Sequence, residues 1–163
     1  AINFNGPVYM RFGRLAVPVI YDEASYKLEI GRGIKMADGS DVTIIATGVT
    51  VAMALEARAT LAAEGIDAAV VNIHTIKPLD RELVIAEARK TGAIVTAEEH
   101  NIIGGLGEAV CAATAEAYPV PVLRVGVEDR FGRSGKVPPL LEMYGITPEN
   151  IAAKAREAVK LKK

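Results

Sequence analysis

Charged and polar side chains are predicted to gather where three strands of this 163-residue chain end. His74 closes a predicted strand at residues 67–74, Glu99 closes another at 93–99 with His100 next, and residues 128–131 follow a third. Open α/β sheets bind ligands beyond the carboxyl ends of their strands. Two histidines beside carboxylates could transfer protons or hold a metal ion, although their spacing is diagnostic of neither. Hydrogen bonds that tie loops together or bind a neighbouring domain explain the same residues more simply.

A glycine stretch, Gly104-Gly105-Leu106-Gly107, separates a predicted strand from a predicted helix. Backbone amides at such a helix start can cradle an anion. The dinucleotide-binding pattern G-x-G-x-x-G is not matched, because its third glycine position falls on Val110. Close packing of the helix on the strand is the simpler use of these glycines.

Two arginines flank a glycine near the start of the chain, Arg11 and Arg14 in Arg-Phe-Gly-Arg. A planar guanidinium binds two phosphate oxygens at once, so both arginines are candidate phosphate ligands.

Composition excludes several functional classes. Nineteen basic and twenty acidic residues nearly cancel, which predicts neither a nucleic acid nor an anionic membrane as partner. The single cysteine, Cys111, excludes an internal disulfide framework and is predicted to be a buried small hydrophobe. No apolar run reaches the roughly 20 residues of a membrane helix, and no signal peptide opens the sequence. We expect a soluble, cytoplasmic protein.

The elements that position the candidate residues alternate from residue 28 onward. Strands are predicted at about residues 28–36, 41–47, 67–74, 93–99 and 121–127, and helices at about 50–64, 80–90, 104–117, 140–144 and after Thr147. This order predicts an α/β fold, a three-layer α/β/α arrangement with a mostly parallel, mixed sheet of about five strands. The tight turn at Asp38-Gly39 cannot hold a parallel crossover, so one antiparallel edge strand should precede it, with its partner left open.

The first residues form a separate segment. Residues 7–12 alternate and favour a β-strand, but a solitary strand cannot satisfy its own backbone hydrogen bonds. We therefore expect residues 1–14 to hold the final strand of a domain that is missing here, residues 15–27 a linker, and residues 28–163 a complete domain.

The ordered motifs resemble the transketolase family, and more closely its short bacterial or archaeal C-terminal subunits. The matching segments are residues 6–14 (GPVYMRFGR), 38–48 (DGSDVTIIATG), 74–80 (HTIKPLD), 98–101 (EEHN), 104–110 (GGLGEAV) and 129–135 (DRFGRSG). The resemblance covers the whole chain in order, and the motifs are specific as a set.

The resemblance implies an enzyme that moves a two-carbon ketol unit between sugar phosphates, as in the pentose phosphate pathway. Such enzymes hold thiamine diphosphate and a divalent metal between a diphosphate-binding and a pyrimidine-binding domain. Residues 1–14 would be the last strand of the pyrimidine-binding domain, and residues 28–163 would be the C-terminal domain, which lies apart from the chemistry. The implied partners are the missing domains or an N-terminal subunit, and a dimer or other homo-oligomer is expected.

One site residue of the family carries over. The arginine that contacts the substrate phosphate matches Arg14, with Arg11 a weaker candidate. No catalytic residue and no metal ligand is expected in this chain, so alone it should be inactive and should bind no cofactor. Asp38-Gly39 lacks the first glycine of the family's Gly-Asp-Gly metal motif, and no Asn-Asn pair follows, so a turn is predicted there.

Two alternatives stay open. The same domain occurs in deoxyxylulose-phosphate synthase and in the β subunit of 2-oxoacid dehydrogenases, although residues 74–80 favour transketolase. The other alternative is a non-catalytic regulatory or association module. It predicts a pocket near His74, Glu99, His100 and Gly105 whose ligand affects the activity of the parent enzyme.

Overall fold

A computed structural model describes residues 2–13, 16–24 and 26–162. In these ranges the chain forms five strands, β1 (Ile34–Ala37), β2 (Val42–Ala46), β3 (Ala68–Asn72), β4 (Ile94–Asn101) and β5 (Val122–Val127). It also forms five helices, α1 (Thr50–Ala63), α2 (Arg81–Thr91), α3 (Leu106–Ala117), α4 (Val137–Met143) and α5 (Pro148–Lys160). None of these helices in the described ranges has the length and apolarity that crossing a membrane requires.

The five strands form one mixed sheet in the order β1-β3-β2-β4-β5. β2, β3, β4 and β5 are parallel, and β1 pairs antiparallel with β3 at the edge. The predicted antiparallel edge strand is therefore confirmed, and its partner is β3 rather than its sequence neighbour β2. The turn after β1 lies against the start of β3, where the amides of Ser40 and Asp41 both donate to the carbonyl of Asp67.

Helices cover both faces of the sheet, which confirms the predicted three layers. Successive residues of a strand point to opposite faces, so Ile44 and Ile45 of β2 enter different cores. Ile44 packs in the core that α1 and α5 cover, and Ile45 packs in the core that α2 and α3 cover. Both helices of the first core contribute buried alanines, whose small side chains let the helices lie close to the sheet.

Helix ends follow the sequence signals. The Asp80 carboxylate accepts a hydrogen bond from the Leu83 amide at 3.1 Å, and the Thr147 hydroxyl accepts from the Asn150 amide at 3.2 Å. Pro148 is the first residue of α5, and Gly92 ends α2 in the left-handed region with φ at 70°.

The first strand is shorter than predicted. Residues 28–33 are not strand, because Gly31 has φ at 87° and the Gly33 amide donates to the Asp80 side chain at 2.9 Å instead of to a ladder. At other boundaries β4 continues to Asn101, and α4 begins at Val137 rather than near residue 140. Cys111 is half-buried rather than fully buried, and burial raises the pKa of its thiol.

Residues 7–12 form no strand within this chain. Their side chains are exposed, including Tyr9 at 89% and Phe12 at 81%. The assignment of this segment to the sheet of another domain stays a prediction, as does the domain division as a whole.

Candidate functional site

A crevice opens at the carboxyl ends of β2 and β4. From β2 the chain crosses through α1 to β3 on one side, and from β4 it crosses through α3 to β5 on the other. The strand order therefore reverses between these two strands. In open α/β sheets this reversal point is where ligands bind.

The crevice is a cavity of about 400 Å³ that collects four of the candidate residues, Arg11, Glu99, His100 and Gly105. Its opposite wall is the β2–α1 turn, which includes Gly48. The prediction from sequence missed that turn. A glycine directly after an apolar strand was the available signal, and Gly48 does adopt a positive φ of 61°.

Glu98 lies beneath this crevice and is 1% exposed. Its carboxylate accepts hydrogen bonds from the amides of Leu106 at 2.7 Å and Gly107 at 2.8 Å. These amides belong to the start of α3, where Gly105 supplies no side-chain cap. The anion cradle predicted at the glycine stretch therefore exists, and the carboxylate of Glu98 fills it.

The glycines permit this arrangement by close packing. A Cβ atom on Gly105 would lie 2.0 Å from Glu98 Oε2, and one on Gly107 would lie 2.7 Å from Arg124 Cδ. The structure confirms the close packing of α3 on the sheet that the glycine stretch predicts.

His100 is the histidine that faces the crevice. Its side chain is 59% exposed, and its Nδ1 donates to the Asn101 carbonyl at 2.7 Å. Glu98 Oε2 is 3.9 Å from the same nitrogen. In the neutral ring this leaves Nε2 as an acceptor. Among the described residues no three histidine, cysteine, aspartate or glutamate side chains come close enough to hold a metal ion.

His74 is not part of that crevice. It lines an adjoining cavity of about 370 Å³, which shares only Gly48 and Val49 with the first. Its Nδ1 is 2.8 Å from the Thr75 hydroxyl. The two histidines that the sequence grouped together are therefore separated by the β2–α1 turn. Sequence analysis also missed Asn72 and Tyr21, which line the second cavity with His74.

Arg14, the principal candidate for a phosphate ligand, lies outside the described residues. Arg11, the weaker candidate, is exposed and reaches the crevice. The role of both arginines as phosphate ligands stays a prediction.

Asp38-Gly39 forms the predicted turn. Asp38 ion-pairs with Lys90 and with Lys35, the latter at 3.3 Å. These hydrogen-bonded ammonium groups hold the pKa of Asp38 at about 2. A carboxylate engaged by two lysines does not fit a role as a metal ligand for a bound diphosphate.

The Asp38 ion pairs predict an acid-dependent stability. A lowered folded-state pKa stabilises the fold above the ordinary value of 3.8, and this contribution is lost as pH falls toward about 2. Asp38→Asn is therefore expected to lower the urea midpoint at pH 6, while variant and parent converge near pH 2. Urea unfolding at closely spaced pH values measures this. The exposed Glu142→Gln serves as control, and parallel curves for parent and Asp38→Asn would contradict the prediction.

The chain is an α/β domain with a crevice at the carboxyl ends of its strands, where such folds bind ligands. The anion position at the start of α3 is occupied by the chain's own Glu98 carboxylate. Residues 31–151 match the family described as Transketolase, C-terminal domain. The chain belongs to this family, which confirms the resemblance found in the sequence.

Individual relatives match nearly the whole chain. The subunit SqwH of 6-deoxy-6-sulfo-D-fructose transketolase from Clostridium sp. (strain MSTE9) is 45% identical over 97% of this chain and 49% of its own length. The 1-deoxy-D-xylulose-5-phosphate synthase of Heliobacterium modesticaldum is 46% identical over 96% of this chain and 25% of its own. Identity therefore does not separate the two enzyme classes that the sequence left open.

A solved structure described as a split gene transketolase, inactive beta4 tetramer, superposes with a TM-score of 0.89. It is 49% identical and covers 92% of this chain and 49% of its own chain. The chain thus spans about half the length of this structure and of the subunit from Clostridium.

Proposed function

We propose that this chain is the C-terminal section of a transketolase, and that its parent enzyme transfers a two-carbon ketol unit between sugar phosphates. The superposition on a split gene transketolase, with a TM-score of 0.89 at 49% identity over 92% of this chain, carries this proposal. Thiamine diphosphate and a divalent metal would be held by the rest of the enzyme. The described residues around Asp38 do not fit such a site. The parent would act in the cytoplasm, as in the pentose phosphate pathway.

The work of this section would be assembly. Its first residues expose apolar side chains, and Val8, Met10 and Phe12 among them stand at alternate positions, as on one face of a strand. The proposed partner for this segment is the preceding domain or an N-terminal subunit. The split-gene relative is described as an inactive tetramer of four beta subunits, which supports self-association and inactivity of the chain alone.

Reconstitution tests the proposal. The chain is combined with its preceding domains or N-terminal subunit, thiamine diphosphate and Mg²⁺, and is assayed with xylulose 5-phosphate and ribose 5-phosphate. We expect ketol transfer by the assembly, none by the chain alone, and no binding of thiamine diphosphate to the chain in calorimetry. Micromolar binding of the cofactor to the isolated chain would contradict this division of roles.

A second candidate is a section of a 1-deoxy-D-xylulose-5-phosphate synthase, favoured by the relative that is 46% identical over 96% of the chain. The same assembly assayed with pyruvate and glyceraldehyde 3-phosphate distinguishes the two. Product from this pair, without ketol transfer between the pentose phosphates, would decide for the synthase.

Arg14 is the proposed ligand of the substrate phosphate. Hydrogen bonds to a charged group contribute about 1.5–3 kcal/mol, so Arg14→Ala should lower kcat/KM by roughly 10- to 150-fold in the assembly. The loss should be confined to phosphorylated substrates, so kcat/KM for unphosphorylated ribose, measured as acceptor at a saturating concentration of the ketose donor, should change little. Arg11→Ala is the matched control and should have a smaller effect. An equal loss for ribose and ribose 5-phosphate would contradict the assignment.

A further inference from the structure

The linker, residues 15–27, is attached to the domain at one point. Ile20 and Tyr21 are half-buried, whereas the other linker residues that the structure describes are exposed, Val19 at 92%. Ile20 packs against the core that α1 and α5 cover. Apolar contact therefore fastens the middle of the linker, while the residues on either side of this point stay in solvent.

Tyr21 adds a polar contact to the same point. The side-chain amide of Asn72 donates a hydrogen bond to the Tyr21 hydroxyl. Asn72 is the last residue of β3, is 6% exposed, and is paired with Ile34 on one side and with Ala46 on the other. A buried amide group that loses its acceptor costs free energy, so Asn72 favours the docked linker over a free one.

A turn after Tyr21 brings a second ring against the first. The Asp22 carbonyl accepts from the Tyr26 amide at 2.9 Å, and the Asp22 carboxylate accepts from the Ala24 amide at 3.2 Å. The rings of Tyr21 and Tyr26 lie with their centroids 4.2 Å apart. Such aromatic pairs stabilise a structure beyond the area that they bury. We call this set of residues the latch, and it comprises Ile20, Tyr21, Tyr26 and Asn72.

The latch shortens the chain that connects the first residues to the domain. Arg14 is seven residues before Tyr21 but fourteen before Leu28, the predicted start of the domain. The volume that a flexible chain explores grows as about the 3/2 power of its length, so fastening the linker at Tyr21 reduces this volume about threefold. In the structure, Arg11 and Gly13 line the crevice at the ends of β2 and β4. The latch therefore favours the first residues at this crevice.

We propose that Tyr21 and Asn72 are positioning residues, which fasten the linker to β3 and thereby hold residues 11–13 at the crevice. In the assembled enzyme the same latch would limit the positions open to Arg14, the proposed ligand of the substrate phosphate. That consequence rests on the proposed function, whereas the latch itself does not. The linker is then a docked part of the domain that sets where the preceding segment lies.

Hydrogen exchange of the full chain, followed by NMR, tests the latch. Tyr21→Phe removes only the hydroxyl, and the loss of one neutral hydrogen bond weakens docking by about 2- to 13-fold. The Tyr26 amide should therefore exchange faster by about the same factor. The Arg32 amide, which donates to the Glu29 carbonyl at 3.1 Å in a turn outside the latch, should exchange at the parent's rate. Tyr118→Phe removes a hydroxyl at the end of α3 and should change neither rate. Unchanged exchange of the Tyr26 amide in Tyr21→Phe would overturn the proposal.

A spin label tests the positioning directly. A nitroxide attached at Met10→Cys, in a chain that also carries Cys111→Ser, should broaden the amide signals of Gly104 and Gly105 in the crevice. Tyr21→Ala removes both the ring and the hydroxyl, so this broadening should fall about two- to threefold. Equal broadening with and without Tyr21→Ala would show that the first residues reach the crevice independently of the latch, which refutes the positioning role. Should Tyr21→Ala fail to fold, the exchange rates of Tyr21→Phe still decide. Neither measurement uses thiamine diphosphate or a sugar phosphate, so a failure of ketol transfer is distinguished from a failure of the latch.

Discussion

Replacing Glu98 with alanine is expected to lower the free energy of unfolding by roughly 3–5 kcal/mol, because two buried amides lose their acceptor. The carboxylate is 1% exposed and accepts from Leu106 and Gly107 at 2.7 and 2.8 Å. It also caps the start of α3, where the helix dipole favours a negative charge. Urea denaturation followed by circular dichroism at pH 7 measures the change.

Two further variants make the test of Glu98 specific. Glu99→Ala removes an exposed carboxylate one residue away and should change stability by no more than about 0.5 kcal/mol. Glu98→Gln keeps one acceptor oxygen but turns its NH₂ group toward an amide donor, so its loss should be intermediate. If Glu98→Ala and Glu99→Ala were equally mild, the carboxylate would not be what holds the start of α3.

Gly39→Ala is expected to destabilise the domain by about 3 kcal/mol or more, since the contact it creates is with backbone. A Cβ atom at this position would lie 2.2 Å from the Ala69 amide nitrogen and 2.3 Å from the Ala68 carbonyl carbon. These atoms belong to β3, the strand between β1 and β2, so they cannot move without shifting the sheet. The urea midpoint of the variant measures the loss of stability. If the loss is well above 3 kcal/mol, we expect poor soluble expression of the variant.

The control for Gly39 is a glycine in a loop. A Cβ atom on Gly132 would meet nothing within 4 Å, and Gly132 does not need a positive φ, so Gly132→Ala should be near neutral. A mild effect of Gly39→Ala would show that the turn can withdraw from β3. That result would contradict the close approach seen between the turn and this strand.

The elements themselves were predictable because their signals are local. Apolar periodicity located all five strands, and Asp80, Gly92, Thr147 and Pro148 set helix ends through contacts within one turn. The predicted start of β1 was wrong because Gly31 adopts a positive φ and Gly33 bonds to a helix cap 47 residues away. A contact between residues so far apart in the sequence does not change the local spacing of apolar residues from which strands are predicted.

The candidate site was predicted only in part, for the same physical reason. The strand-end rule brought Glu99, His100 and Gly105 to one crevice, but it also grouped His74 with them. Separating the two histidines required knowing that β2 lies between β3 and β4. The glycine stretch predicted an anion position, but its occupant was missed because no local pattern pairs Glu98 with amides eight and nine residues later.

The pairing of β1 with β3 has a consequence for aggregation. Without β1, the buried strand β3 would form the edge of the sheet. It would then expose mostly apolar side chains together with a row of unpaired backbone N–H and C=O groups. β1 has only four residues, and Lys35 at its second position is held by Glu87 at 2.5 Å. A short edge strand that carries a lysine is a poor template for strands from other chains. Strand addition is thereby discouraged on this side of the sheet.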